Sequence, residues 1–168
     1  MNDNDNDRDS LLAAAVALRT GGHREEARQR LLALGADFPD DAAVAYQTAW
    51  AHDVLGLEAE AVPFYERALT GAGLSEEDRR GALLGLGSTY RVLGQYEKAA
   101  ETLRDGVRRF PEDGALRTFL AMALFNTGAH HEAMRLLLEL LASGSTDPSV
   151  REYHEAIAYY AQDLRATV

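Results

Sequence analysis

Apolar residues recur along this chain at the spacing of helix faces. Leu83, Leu86, Gly87, Tyr90 and Leu93 fall at i, i+3, i+4, i+7 and i+10, one stripe of an α-helix. Gly94 interrupts the stripe, as a residue free to take positive φ does. Tyr96, Ala99, Leu103, Gly106, Val107 and Phe110 form a second stripe, and Pro111 stops it. Two helices joined by so short a turn pack as an antiparallel hairpin.

The hairpin recurs. Turn glycines stand at Gly22, Gly56, Gly94 and Gly128, and a small residue follows five positions later at Ala27, Ala61, Ala99 and Ala133. Both series step by 34, 38 and 34 residues, close to the tetratricopeptide period. Phe38-Pro39 closes the first unit and Phe110-Pro111 the third. The chain therefore resembles the tetratricopeptide repeat (TPR) family. The third copy carries the resemblance best, through Leu86-Gly87, Tyr90, Gly94, Tyr96, Ala99, Leu103 and Pro111. Leu55 to Leu69 (LGLEAEAVPFYERAL) also resembles small stand-alone bacterial proteins of this family.

Residues 1–7, MNDNDND, read as a disordered or weakly ordered acidic tail. Residues 8–168 read as one TPR domain, with repeats at about 8–41, 42–79, 80–113 and 114–147 and a capping helix at about 148–165. Asp9 or Ser10 is the expected first cap, and Asp40 or Asp41 the cap of the second copy. The second copy is irregular, because its usual core positions hold Ala45, Thr48, Ala49 and His52. Four extra residues precede the third copy. Ser75 followed by Asp78 reads as a capping box, so the insertion is expected as one added turn at the start of that helix. The run Phe119 to Phe125 is apolar all round, which predicts burial on more than one side. Asp147-Pro148 starts a final helix with Val150, Tyr153, Ile157, Tyr160 and Leu164 on one face, suited to covering the open end of a repeat array.

The resemblance implies an all-α fold, a right-handed α-solenoid of four TPR helix hairpins plus a C-terminal capping helix. It also implies a concave groove lined by the first helix of each hairpin. On the family register the first copy offers Leu12, Val16 and Arg19, and the second Tyr46, Trp50 and Asp53. The third offers Leu84, Ser88 and Arg91, and the fourth Thr118, Met122, Phe125 and Asn126. The capping helix adds Glu152, Ala156 and Tyr159. Trp, Tyr and Arg dominate binding energy at interfaces, so this lining suits a peptide with large apolar side chains and an acidic group for Arg19 or Arg91. Packing of Tyr46 and Trp50 between hairpins, making up for the weak core of the second copy, is the competing reading. Leu12 and Val16 stand where the family's chaperone-binding clamps carry Lys and Asn, so a chaperone C-terminus is not the expected ligand.

Composition narrows the function class. The chain has 17 basic against 27 acidic residues, a formal net charge of −10. Without a basic stripe, neither nucleic acid nor an anionic membrane is an expected partner. There is no cysteine, which removes disulfides, thiolate metal sites and a Cys nucleophile and agrees with a cytoplasmic location. Asp3, Asp5 and Asp7 hint at a calcium loop, but Arg8 stands at its turn glycine and Ala14 at its closing Glu. His23, His52, His130, His131 and His154 include no H-E-x-x-H pair. His52 and Asp53 are adjacent on a helix and point about 100° apart, so they do not form a base and its orienter. No metal, cofactor or catalytic residue is expected. The chain reads as a non-catalytic interaction module holding a protein or peptide segment in its groove. The alternative is a self-associating structural protein, using Leu116 to Phe125 or the N-terminal hairpin to bind a second copy.

Overall fold

The computed structural model describes residues 3–165. Among them are ten α-helices and no strand: α1 (Asp3–Thr20), α2 (Arg24–Asp37), α3 (Ala42–Asp53), α4 (Glu58–Thr70), α5 (Glu76–Val92), α6 (Tyr96–Arg109), α7 (Gly114–Asn126), α8 (His130–Gly144), α9 (Pro148–Glu152) and α10 (His154–Gln162). The all-α repeat expected from the sequence is present. Gly22, Gly56, Gly94 and Gly128 all take positive φ, between 73° and 89°, the left-handed turn conformation that costs a glycine little. Ala27, Ala61, Ala99 and Ala133 are all buried. The chain divides into two compact units, residues 1–94 with α1 to α5 and residues 95–168 with α6 to α10, where the sequence suggested one domain.

In the first unit consecutive helices pack on each other, and α3 also touches α1 and α5. Leu31, Leu34, Val44, Ala45, Ala49, Ala61, Tyr65 and Ala68 are buried here; a fully buried Leu or Val contributes about 1.5–3 kcal/mol. The polar residues of α3 are accommodated locally. The Thr48 hydroxyl donates to the Val44 carbonyl at 2.7 Å. His52 lies buried, its Nδ1 2.8 Å from the Thr48 carbonyl and its ring stacked on Phe64 at 5.0 Å. Asp41 caps α3 by accepting from the Val44 N–H. Ser75 caps α5, accepting from the Asp78 N–H while its hydroxyl donates to the Asp78 carboxylate. α5 has 17 residues against 13 in α7, so the four-residue insertion appears as one added helical turn.

In the second unit α6, α7, α8 and α10 pack in succession. Leu116, Leu120, Ala121, Ala123 and Leu124 of α7 are buried. Glu139 of α8 accepts from Arg117 of α7 at 3.0 Å, from Arg135 at 2.8 Å and from Gln162 of α10 at 3.2 Å, tying three helices together.

Two expectations are corrected. α1 begins at Asp3, so residues 3–7 are helical and neither Asp9 nor Ser10 is the cap. Residues 1 and 2 lie outside the described residues. The capping helix is not continuous. It breaks at Tyr153, between α9 and α10. Of the expected inner face, Val150 and Ile157 are half-buried and Tyr153, Tyr160 and Leu164 are exposed, while Ala161 is buried.

Candidate functional site

The first unit gathers a cluster of large side chains around α3, which packs against both α1 and α5. Arg19, in the last turn of α1, lays its guanidinium carbon 3.9 Å from the centroid of Trp50, within cation–π range. The Trp50 ring stands 5.8 Å from Tyr46, and Tyr46 stands 6.4 Å from Tyr65 of α4. Trp50 remains 41% exposed, whereas Arg19 is 7% and Tyr46 6% exposed. Trp50 is thus an exposed aromatic ring packed against a buried cation and a buried phenol.

The buried phenols have room because α5 lacks side chains opposite them. A Cβ on Gly81 would meet the Tyr46 hydroxyl and lie 2.9 Å from its Cζ, and one on Gly85 would lie 2.5 Å from Cζ of Tyr65. Tyr65 donates to the Asp53 carboxylate at 2.6 Å, and Thr89 of α5 donates to the same group at 2.9 and 3.1 Å. Asp53 therefore joins α3, α4 and α5, and it does not pair with His52. Burial pushes the Asp53 carboxyl above its ordinary value, although the Tyr65 and Thr89 hydrogen bonds pull the other way. Burial also pushes the Tyr46 hydroxyl up to about 12, and raises that of Tyr65 further.

Arg19 is the electrostatic anomaly of the cluster. Its polar contact is with the Gln47 carbonyl at 3.4 Å, and no acidic side chain among the described residues pairs with it. Burial pushes its guanidinium below the ordinary arginine value, and the Tyr46 and Tyr65 hydroxyls act in the opposite direction. The side-chain Oε1 of Gln47 is buried without a hydrogen-bond partner among the described residues.

The residues named from sequence are distributed as follows. Trp50 is open surface. Tyr46, assigned to the groove lining, offers almost none, because Gly81 of α5 admits its ring. Leu12 packs against the Ala15, Leu31 and Ala51 cluster, so the hairpin core claims it. Val16, Leu84, Ser88 and Arg91 are half-buried, and Asp53 is held by Tyr65 and Thr89. In the second unit Thr118 is half-buried and donates to the Gly114 carbonyl at 2.7 Å, and Met122 is half-buried. Phe125 is 63% exposed with His130 at 4.8 Å; Asn126 is exposed; Tyr159 is 70% exposed, edge-on to Tyr160 at 5.3 Å. Glu152 and Ala156 are exposed.

Sequence reasoning missed Tyr65, Thr89, Gly81 and Gly85. A signal existed: Gly81, Gly85 and Gly87 fall within one helix, each at a cost of roughly 1 kcal/mol relative to Ala, and glycines there mark close approach of a neighbour. Among the described residues no three His, Cys, Asp or Glu side chains are grouped as a metal site, and no helix is long and apolar enough to cross a membrane.

The comparisons with known proteins agree with the repeat geometry. No curated protein sequence matches. Among solved structures, the chain is similar to a MamA RS-1 double mutant (TM-score 0.73, 21% identity, 84% of this chain and 79% of that one covered). It is also similar to residues 41 to the end of MamA from Desulfovibrio magneticus RS-1, with a TM-score of 0.69, 19% identity and coverage of 93% and 86%. A third similar structure is Pseudomonas aeruginosa pilF, with a TM-score of 0.70, 19% identity and coverage of 95% and 75%. At these identities the likeness is one of fold. The profile of the tetratrico peptide repeat family matches residues 42–164, and the chain belongs to that family of helical-repeat interaction scaffolds.

Proposed function

We propose that the α1–α3–α5 face of the first unit binds a segment of a partner protein, with Trp50 as its anchor, and that the protein is a non-catalytic adaptor. The observation that carries this reading is the 41% exposure of Trp50 above the buried Arg19 and Tyr46. A free aromatic on a surface loses conformational freedom on binding; one already fixed by its neighbours loses less. Tryptophan fixed in this way is the residue type that dominates alanine scans of interfaces. Location in the cytoplasm belongs to the same proposal.

The test is capture from a lysate of the source organism with two baits of equal helicity, the wild type and a Trp50→Ala, Arg91→Glu variant. A protein retained by the wild type and lost by the variant supports the reading. Equal recovery of every bound protein by both baits contradicts it and moves the interface elsewhere.

Self-association has its own observation in the second unit. Met134, Leu137 and Leu141 are exposed along α8, and Tyr153, Tyr160 and Leu164 are exposed in the segment that follows it. Light scattering across a dilution series decides it: a mass that stays monomeric at all concentrations removes this second reading.

A further inference from the structure

Arg19 gives the face a chemical preference. Ninety-three per cent of its surface is buried, since it is 7% exposed. No acid among the described residues neutralises it, and its polar contact is one carbonyl at 3.4 Å. A buried cation without a counter-charge is costly. Its place in the last turn of α1, its stacking on Trp50 and its one carbonyl contact offset part of that cost but supply no negative charge. Stacking engages the face of a guanidinium and leaves its N–H groups in its plane. Nη1 donates to the Gln47 carbonyl, and the other guanidinium nitrogens make no hydrogen bond among the described residues yet are not fully buried. Those donors match the two oxygens of a carboxylate.

We infer that the occupant of this face is a peptide segment carrying an internal Asp or Glu side chain, whose carboxylate pairs with Arg19 beside the Trp50 ring. The inference rests on the proposed function, that this face binds a partner segment. The carboxylate is assigned to a side chain and not to a chain terminus because α3, which carries Trp50, is flanked by α1 at one contact and α5 at another. Half-buried Val16 precedes Arg19 by three residues on α1, and half-buried Leu84 and Ser88 stand on α5. A segment crossing the face runs on at both ends.

The experiment uses the full chain and short N-acetylated, C-amidated peptide libraries of randomised Leu, Phe, Ala and Ser, with one central position fixed as Glu, Gln or Lys. The wild type is expected to retain the Glu library about tenfold more strongly than the Gln library, and the Lys library least, as a charge-assisted pair predicts. Arg19→Met, which keeps the stem packed on Trp50, is expected to erase the difference between Glu and Gln while retaining the binding common to both. Trp50→Ala is expected to weaken all three. Equal retention of Glu and Gln by the wild type overturns the inference without needing any variant to fold. A Glu preference that survives Arg19→Met also overturns it, and so does a stronger preference for a Gln library with a free C-terminal carboxylate. In each of those cases a loss of shared binding in Trp50→Ala leaves the proposed function standing. Binding of all libraries unaffected by Trp50→Ala is the separate result that removes it.

Discussion

The Tyr65 ring and the α carbon of Gly85 share a space that admits no extra carbon. A methyl on Gly85 would stand 2.5 and 2.8 Å from ring carbons of Tyr65, and the ring cannot swing away while Asp53 accepts its hydroxyl at 2.6 Å. Gly85→Ala is expected to lower stability by about 1–3 kcal/mol despite its gain in helix propensity, measured by urea unfolding; an unchanged or raised midpoint would refute this packing. Two carboxyls predict opposite pH behaviour. Burial raises Asp53, so its contribution is full below the unfolded value near ~3.9 and is lost as pH rises through the folded value. Burial also pushes Glu139 up, but hydrogen bonds from Gln162 and Arg135 outweigh it and the net shift is downward. Its contribution is present above the unfolded value near ~4.3 and lost as pH falls through the folded one. Asp53→Asn is therefore expected to gain stability relative to the wild type between about pH 3 and about pH 7, and Glu139→Gln to lose it over the same range. Thermal melts across that range check both signs.

At the scale of the element, turn glycines and caps carry the repeat. No side chain crowds Gly94, since a Cβ there meets nothing within 4 Å, yet its φ is +73°. Gly94→Ala should cost roughly 1–2 kcal/mol through backbone conformation alone, with the slope of the urea transition unchanged; a neutral effect would mean the turn relaxes without the positive φ. These elements were legible because they depend on local chemistry. Periodic glycines, buried alanines, the Ser75 box and the added turn of α5 all follow from short-range rules. The break at Tyr153 was not legible, since Val150, Tyr153, Ile157, Tyr160 and Leu164 fit one uninterrupted face on paper. The site was only partly legible for a related reason. The register put both Trp50 and Tyr46 on the lining; Trp50 is 41% exposed, but Tyr46 one turn earlier is buried against Gly81, 35 residues further on. Only tertiary packing joins those two positions.

For the whole molecule, the net charge of −10 sets the long-range field, and Arg19 sets a local exception to it. An acidic segment approaching this chain meets repulsion that salt screens, with a Debye length of about 10 Å at 0.1 M. Its contact with the buried Arg19 is screened far less. Association of a Glu peptide is therefore expected to quicken as salt rises from about 0.05 to about 0.3 M, while the Glu-over-Gln preference persists. Stopped-flow mixing followed by Trp50 emission measures the rate; a rate that falls with salt would mean a basic surface guides the encounter.

Trp50 is the sole tryptophan of the chain, so its fluorescence reports on the proposed anchor without interference. The most direct test of the central claim is titration of the captured partner's binding segment, free of tryptophan, while Trp50 emission and the heat of binding are recorded together. The account predicts a saturable change in emission with the same midpoint as the heat. Heat that saturates while the emission of Trp50 stays constant would place the segment elsewhere on the molecule and contradict the account.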